Sequence, residues 1–231
     1  MRPRRLYKYF SNMEHAESFC DGSLLFRSLA YFRNYEDNNI REDKNEGTSA
    51  YRPNDGLLVT NQTQGTQFIL KGHSFVSTVK REEIFVFCLS GVFEKSLFKR
   101  FDAVACVEVL DIGAFCARIE ASLPPKASFP ETRTPRRRRI GHWVEYYDET
   151  ESCTPCWALP ERIATAKLRS YAWQREFRLL FSTTDAFEFE KVALRLVPDG
   201  HREVVNTEQK HHYELKAGSL RDICCLYACP P

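Results

Sequence analysis

The clearest alternation of hydrophobic and polar positions lies in residues 171–182, in the last third of the chain. Side chains of a strand point alternately to its two faces, so this alternation predicts a strand with one apolar and one polar face. The apolar face carries Phe177, Leu179 and Phe181. The polar face carries Gln174, Glu176 and Arg178. The strand is therefore expected to pack a core on one side and to present a carboxylate from the other.

The carboxylate of Glu176 allows two interpretations. An ionised carboxylate only accepts hydrogen bonds, so Glu176 can orient a sugar hydroxyl or stabilise a positive charge that develops nearby. The alternative is a solvated strand face, on which Glu176 and Arg178 form a weak ion pair of little energetic value. The alternation by itself does not decide between a site and a solvated surface.

The N-terminal part of the chain predicts a strand, a helix and a second strand. Residues 6–10 have a strand pattern, and Ser11 stands three residues before Glu14, which is the spacing of a helix capping box. The helix is expected to end at Gly22, because glycine readily adopts the left-handed backbone that terminates helices. Residues 24–27 then resume a strand pattern.

The rest of the chain predicts mostly strands, with a few helices. Further strands are expected at residues 57–60, 67–70, 75–79, 83–90, 103–109, 140–147, 188–196, 213–216 and 223–227. Helices are expected at residues 94–101, 112–123 and 162–172. Two segments without periodicity predict a polar loop at 33–56 and a proline- and arginine-rich loop at 124–139. This order predicts an α+β fold, with residues 1–231 as one domain.

Composition adds the expectation of an ordinary folded protein in a reducing compartment. Hydrophobic residues make up 43% and charged residues 28% of the chain, which is far from a disordered composition. The nine cysteines are an odd number without a secretory start, which favours free thiols and a cytoplasmic location. No apolar run reaches the length of a membrane span, so no membrane association is expected. The formal net charge of +2 is too small to indicate a polyanionic partner.

Local clustering of charge does suggest such a partner. Arg136, Arg137, Arg138 and Arg139 follow one another, and Trp143 comes soon after. Arginines bind phosphates, and an aromatic ring stacks with bases, so this cluster is a candidate RNA- or DNA-binding segment. The alternative is a solvated, disordered loop, which the neighbouring prolines favour.

Motifs for metal or nucleotide chemistry are weak or missing. Cys153 and Cys156 have half of the spacing of a zinc site, but no second pair follows and the histidines are scattered. The sequence contains no glycine-rich phosphate loop, zinc-protease helix motif or nucleophile elbow. No metal is expected, and ATPase and serine-hydrolase chemistry are disfavoured.

Three short motifs resemble a bacterial family of domains of unknown function. They are Leu6-Tyr7-Lys8-Tyr9 at the start, the buried strand that ends in Phe87-Cys88-Leu89-Ser90, and the late Trp173-x-x-Glu176-x-Arg178. The layout, with strand, helix and strand first and a glutamate-bearing strand late, is similar to that of ADP-ribosyltransferases, including those that modify nucleic acids. The resemblance implies an ADP-ribosyltransferase-like fold of central mixed β-sheets with flanking helices.

The resemblance also implies a cleft for NAD as co-substrate, with Glu176 as the catalytic glutamate. The residues expected to line the nicotinamide ribose are the strand Tyr7 to Tyr9 with Arg27, Ser28 and Tyr31. The best-known transferases have a histidine or arginine in this first strand, whereas here Lys8 or Tyr7 stands in that place.

The residue types fit the same chemistry without the family. Cleavage of the nicotinamide glycosidic bond passes through an oxocarbenium-like state, which a nearby carboxylate stabilises. Tyr7 and Tyr31 can stack on nicotinamide, or they are simply core residues. The pyrophosphate candidates in the polar loop are Arg33, Arg41 and Lys44, whose alternative is plain solvation.

The expected function is transfer of ADP-ribose from NAD to a macromolecule, with nucleic acid favoured because of the arginine cluster. By resemblance alone, such an enzyme serves as a toxin in bacterial antiviral defence and has a neutralising protein partner. Two alternatives stay open. One is a non-catalytic module that binds nucleic acid or protein, and the other is an NAD glycohydrolase, in which water replaces the acceptor.

Overall fold

The computed structural model describes residues 5–33, 45–131, 137–151, 159–200 and 212–228. Strands outweigh helices, at about 41% against 23%, and form several antiparallel sheets, so the α+β class is confirmed. Among the helices of these residues, none has the length and apolar character needed to span a membrane.

The helices and strands follow the chain in this way. The strands are β1 (Leu6–Phe10), β2 (Ser23–Ser28), β3 (Thr48–Tyr51), β4 (Leu57–Asn61), β5 (Thr66–Leu70), β6 (His73–Thr78), β7 (Ile84–Ser90), β8 (Ala105–Val109), β9 (Gly141–Trp143), β10 (Glu145–Tyr147), β11 (Ala166–Leu168), β12 (Glu176–Ser182), β13 (Ala193–Pro198), β14 (His212–Lys216) and β15 (Cys224–Ala228). The α-helices are α1 (Met13–Cys20), α2 (Leu29–Arg33), α3 (Lys95–Arg100), α4 (Ile112–Ser122) and α5 (Pro160–Ala164). Short 3-10 helices occupy Arg169–Gln174 and Phe189–Lys191.

The main sheet has the strand order β14-β2-β7-β1-β8-β15, and β12 pairs with both β7 and β9. Every strand pairing described in this sheet is antiparallel, so the prediction of a mixed sheet is wrong here. The one parallel pair among the described strands is β10 with β11, in a separate two-stranded sheet. The smaller sheets are β13-β6-β3 and the hairpin β4-β5.

Strand β7 has three partners, which opens a fork in the main sheet. Along one edge β12 pairs with all seven residues of β7. A strand has only two edges, so β1 and β2 must share the other. On that edge β2 meets Phe85 and Val86, and β1 meets Ser90. The two strands therefore separate around residues 87–89.

The main core lies on one face of the sheet, beneath α1 and α4. It contains six buried phenylalanines, each no more than 5% exposed, namely Phe19, Phe26, Phe87, Phe115, Phe177 and Phe181. The rings of Phe19 and Phe87 stack with their centroids 5.7 Å apart. Burial of such rings removes 150–250 Å² each from water, which is a large share of the hydrophobic stabilisation. The predicted apolar face of β12 is part of this core.

Several predicted elements need correction. The capping residue of α1 is Asn12, whose side chain accepts a hydrogen bond from the Glu14 backbone N–H, so the serine of the predicted capping box is not the cap. The predicted helix at 162–172 is instead α5, β11 and a 3-10 helix. This 3-10 helix also includes residues 171–174 of the strand predicted at 171–182, so that strand begins only at Glu176. The predicted polar loop at 33–56 contains β3, whose hydrogen bonds to β6 stabilise a strand that has no long apolar run. Residues 34–44, 132–136 and 152–158 lie outside the described residues.

Gly22 offers a test of this fold. It follows α1 with φ of +89°, and an added Cβ would lie 1.8 Å from the carbonyl oxygen of Gly218. We expect Gly22→Ala to lower the free energy of unfolding by about 3 kcal/mol or more, because left-handed strain adds to a clash with backbone. Chemical denaturation measures the change.

Gly65→Ala is the matched control. Gly65 also has a positive φ, of +65°, but no atom lies within 4 Å of its added Cβ. We expect only the left-handed strain there, about 1 kcal/mol. Equal losses for the two variants would contradict the close approach of Gly22 to Gly218.

Candidate active site

Glu176 is the first residue of β12, and the local backbone fixes its position. The preceding 3-10 helix ends at Arg175, which has a left-handed φ of +42° and turns the chain into the strand. The Glu176 backbone N–H donates to the hydroxyl oxygen of Tyr146 over 2.9 Å, and Glu176 is paired with Ser90 of β7. The side chain is therefore held at the end of the strand that borders the fork.

Both faces of β12 are buried, so the interpretation of its polar face as solvated is wrong. Glu176 is 4% exposed and Arg178 only 1%. Leu180 lies on the same face as these two and packs in a second core cluster with Ile163 of α5 and Leu29 of α2. Because helices cover this face, its charged side chains must be paired inside the protein.

Arg178 is the centre of the pairing. Its guanidinium binds both carboxylate oxygens of Glu46, at 2.5 and 2.9 Å, and donates to the carbonyl oxygen of Ala164 over 2.8 Å. The Nε atom donates to Oε1 of Glu176 over 2.7 Å. One arginine thus joins two buried glutamates and the end of α5, with the bidentate geometry that makes such pairs strong.

Lys167 binds the other side of the same carboxylate. Its Nζ atom is 3.0 Å from Oε2 of Glu176 and 2.9 Å from Oε1 of Gln174. Nζ also lies 4.8 Å from the centroid of the Tyr171 ring. Glu176 therefore has a cation on each carboxylate oxygen, and its orientation is fixed.

These neighbours decide the ionisation of the site. Burial alone would raise the pKa of Glu176, but the charges of Arg178 and Lys167 hold that pKa well below its usual range. Burial also opposes the charge of Arg178, yet Glu176 and Glu46 raise its pKa above the ordinary value. Burial, with a further effect of Glu176, raises the pKa of Tyr146 to about 12. At neutral pH Glu176 is ionised and Tyr146 keeps its proton.

A cleft of ≈ 570 Å³ lies over the fork between β1 and β2. Its described lining includes Tyr7, Lys8, Arg27, Tyr31, Gln174 and Glu176. Five of these are predicted site residues, and Gln174 stood on the predicted polar face of the strand. Ser28 and Arg33 are predicted site residues that are not among the described lining. Ser28 is fully buried, where its hydroxyl accepts a hydrogen bond from the Tyr31 backbone N–H, and Arg33 is the last residue of α2.

Two of the cations that line the cleft, Lys8 and Arg27, lie against aromatic rings. The Nζ atom of Lys8 donates to the Cys88 carbonyl oxygen over 2.8 Å and lies 4.4 Å from the centre of the Phe87 ring. The guanidinium of Arg27 lies 4.5 Å from the centre of the Tyr31 ring. Lys8 thus binds a carbonyl of β7 in the part of the strand where β1 and β2 separate. Both cations remain close enough to the cleft to meet an anionic ligand.

Tyr7 connects the cleft to a second polar group. Its hydroxyl donates to Glu108 over 3.1 Å, and Glu108 also accepts from Arg5 and from Tyr227. Burial, helped by the hydrogen bond to Glu108, raises the pKa of Tyr7. Tyr7 is therefore a neutral aromatic wall of the cleft.

Sequence reasoning missed Glu46 and Lys167. Glu46 lies in the segment predicted as a solvated loop, and Lys167 in the segment predicted as a helix. Glu46 binds Arg178 across 132 positions of sequence, and Lys167 binds Glu176 across nine. Both contacts depend on the tertiary fold. Two of the proposed pyrophosphate-binding residues, Arg41 and Lys44, lie outside the described residues.

The arginine cluster lies away from Glu176. Arg136 is outside the described residues, and Arg137, Arg138 and Arg139 are exposed. The backbone N–H of Leu180 donates to the carbonyl oxygen of Ile140, the residue after Arg139. Arg139 therefore lies about 13 Å along β12 from Glu176. Trp143 packs edge-on against Phe177, with the ring centroids 5.0 Å apart, so it is half-buried against the core.

Within the described residues, no group of three or more His, Cys, Asp or Glu side chains could hold a metal ion. The half zinc motif of Cys153 and Cys156 lies outside them. Comparisons with protein-family models, curated proteins and solved structures give no match to this chain. The interpretation of the site therefore depends on its own geometry.

Removal of the arginine tests the buried network. We expect Arg178→Met to lower the free energy of unfolding by about 3–5 kcal/mol, because Glu46 and Glu176 would keep buried charges without that partner. Arg118→Met, which breaks an exposed ion pair with Asp222, is the control and should change stability far less. Chemical denaturation of both variants measures the difference, and similar losses would contradict a central role for Arg178.

Proposed function

We propose that the cleft binds NAD and that the protein transfers ADP-ribose from it to a macromolecular acceptor. The observation that carries the proposal is the position of Glu176. An ionised carboxylate, held on both oxygens by Arg178 and Lys167, lies in a cleft with two further cations and aromatic walls. Strongly perturbed ionisable groups in a cleft mark candidate catalytic sites.

The cleft has the size and chemistry that NAD requires. Its ≈ 570 Å³ lies within the usual range of about 300–1,000 Å³ for small-molecule sites. The positively charged side chains of Lys8 and Arg27 bind the pyrophosphate in this proposal, and both are held against aromatic rings. Tyr7 and Tyr31 supply ring faces on which nicotinamide can stack. Gln174 and Ser90 add polar groups for the ribose hydroxyls.

The proposed reaction breaks the bond between the ribose C1′ atom and the nicotinamide nitrogen. The bonding electrons leave with nicotinamide, and positive charge develops on the ribose ring. Glu176 accepts a hydrogen bond from a ribose hydroxyl and stabilises this charge. A nucleophile of the acceptor then attacks C1′ and loses its proton to solvent. No metal takes part in this sequence.

The buried network supports the role of Glu176 through preorganisation. A carboxylate held between Arg178 and Lys167 does not reorient when substrate arrives, so no rearrangement opposes the reaction. Arg178 and Lys167 are thus positioning residues in this proposal. Their positive charges also keep the pKa of Glu176 low, which maintains the ionised form needed to stabilise the cationic transition state.

The wider assignments belong to the same proposal. They are an ADP-ribosyltransferase-like fold, nucleic acid as acceptor, action in the cytoplasm as a toxin of bacterial defence, and a neutralising protein partner. The glutamate at the start of a buried strand, beside a cleft, supports the fold assignment, whereas the antiparallel main sheet departs from the mixed sheets that this assignment implies. The resemblance of the three short motifs supports the others.

Turnover of labelled NAD tests the proposal. Purified protein is incubated with ³²P-NAD and RNA, DNA or total protein, and the label is followed on macromolecules and as free ADP-ribose. We expect Glu176→Gln to lower transfer by about 10²–10³-fold, since a stabilising charge of this kind contributes that much. Glu190→Gln, which changes an exposed glutamate of the 3-10 helix Phe189–Lys191, is the control and should keep full activity.

Three results would contradict the proposal of transfer. Release of free ADP-ribose without labelled acceptor would identify a glycohydrolase. Absence of NAD turnover in the wild-type protein, with salt-sensitive nucleic-acid binding, would indicate a non-catalytic binding module. Equal activity of wild type and Glu176→Gln would exclude the catalytic role of Glu176, provided that thermal unfolding shows both proteins to be folded.

A further inference from the structure

We infer that an aromatic and basic surface beside the cleft binds single-stranded nucleic acid and presents it to Glu176. This surface, called here the Phe93 surface, consists of Phe93, Tyr227, Trp173, Lys95, Lys99 and Arg100. The inference rests on the proposed function, since it names the class of acceptor and the place where the acceptor binds. It is independent of the arginine cluster at Arg136–Arg139.

The surface begins in the wall of the cleft. The ring of Tyr7, which lines the cleft, lies 5.4 Å from the ring of Phe93. Phe93 in turn lies 5.6 Å from Tyr227 and 5.7 Å from Phe98. A continuous row of aromatic rings therefore leads from the cleft to the outside of the protein.

A second row leaves the cleft on the Phe101 side. Phe101 lines the cleft, and its ring lies 5.6 Å from the ring of Trp173. The guanidinium of Arg100 stacks over Trp173, 4.5 Å from the ring centre. Tyr9 packs against both Phe98 and Phe101, so it joins the two rows.

The outer members of these rows are accessible. Phe93 is 44% exposed and Tyr227 is 40% exposed, although both are large aromatic side chains next to a well-packed cluster. Trp173 is half-buried and Arg100 exposed. Exposed aromatic rings that border a cleft are typical of binding surfaces.

Exposed positive charges lie close to Phe93 and Trp173 along the chain. Lys95 and Lys99 lie four residues apart on α3, hence on one side of that helix, and both are exposed. Arg175 is also exposed, and its backbone lies close to this segment, because its carbonyl oxygen accepts a hydrogen bond from the backbone N–H of Gly91, two residues before Phe93. With Arg100 this gives four exposed cations against the two exposed carboxylates of Glu94 and Asp102.

Rings and cations in this combination fit a single strand better than a duplex or an acidic protein. Unpaired bases stack on aromatic side chains, while lysine and arginine bind the phosphates between them. A duplex hides the faces of its bases, so the exposed ring of Phe93 would have nothing to stack on. An acidic peptide would engage the cations and leave the rings without a matching partner.

The position of the surface also matches the chemistry. A base or ribose of a strand that lies across Phe93 and Trp173 is adjacent to Tyr7 and Phe101, which line the same cleft as Glu176. The arginine cluster is about 13 Å away along β12 and has no described aromatic connection to the cleft.

Fluorescence anisotropy with labelled 12-mer oligonucleotides tests the inference on the full chain. We expect the wild-type protein to bind single-stranded RNA or DNA more tightly than a duplex of the same sequence, and less tightly as salt rises. Phe93→Ala should weaken single-strand binding about tenfold, because each stacked base contributes strongly. Arg100→Gln together with Lys99→Gln should weaken binding and reduce its dependence on salt.

Matched controls lie on the β4–β5 hairpin. Phe68 of β5 is also an exposed phenylalanine, 53% exposed, and Lys71, the residue after β5, is an exposed lysine. Phe68→Ala and Lys71→Gln should leave binding unchanged. Thermal unfolding establishes that each variant is folded. If Phe93→Ala does not fold, Phe93→Leu replaces it, because leucine keeps an apolar contact to Phe98 but has no ring face.

Several outcomes would overturn the inference. One is unchanged single-strand binding by folded Phe93 variants, and another is duplex binding that is as tight as single-strand binding or tighter. A third is loss of binding in a variant with Arg138→Gln and Arg139→Gln while the Phe93 variants still bind. The last is competition by polyglutamate that is as effective as competition by unlabelled single strand. The Glu176→Gln variant separates this inference from the proposed function. If the inference is correct, this variant binds the single strand as wild type does, even where NAD turnover is lost or was never present.

Discussion

The buried ion pairs of Arg178 are the constraint on which the rest of the structure depends. Arg178 and its two glutamates, Glu46 and Glu176, are each no more than 4% exposed, and unpaired charges at such positions would be prohibitively unstable. One guanidinium therefore has to bring together β12, the turn before β3 and the end of α5. Apolar side chains of similar volume would pack this region at a lower electrostatic cost. In the proposed function, the charges serve to orient Glu176.

The network ends at the cleft. Three members of the network, Glu46, Lys167 and Glu176, also line the cleft, and the Glu176 carboxylate is bound by both Arg178 and Lys167. The fork at β7 creates the cleft, and the network supplies it with an oriented carboxylate whose pKa is held low by Arg178 and Lys167. The fold thus places the Glu176 carboxylate in the cleft, and its neighbours keep it ionised. Stabilisation of a cationic transition state needs such a carboxylate.

The local sequence pattern was sufficient to predict parts of the fold. The alternation around Glu176 predicted the strand and the core face of Phe177, and the N-terminal pattern predicted the strand that carries Tyr7 and Lys8. The same alternation also suggested a solvated polar face, which was wrong because burial depends on what packs over a strand. Glu46 carried no local signal, because its partner Arg178 is 132 positions away in sequence. Lys167 is only nine positions from Glu176, but it lies in the segment predicted as a helix at 162–172. That helix prediction was wrong because pairing of β11 with β10 overrides helix propensity.

The most direct measurement of the central claim is a crystal structure of the Glu176→Gln variant with NAD, since this variant is expected to bind NAD without consuming it. We expect NAD in the cleft, with a hydroxyl of the nicotinamide ribose within about 3.2 Å of the side chain at position 176. The pyrophosphate should lie beside Lys8 and Arg27. NAD bound elsewhere, or bound in the cleft with its nicotinamide ribose turned away from position 176, would contradict the account.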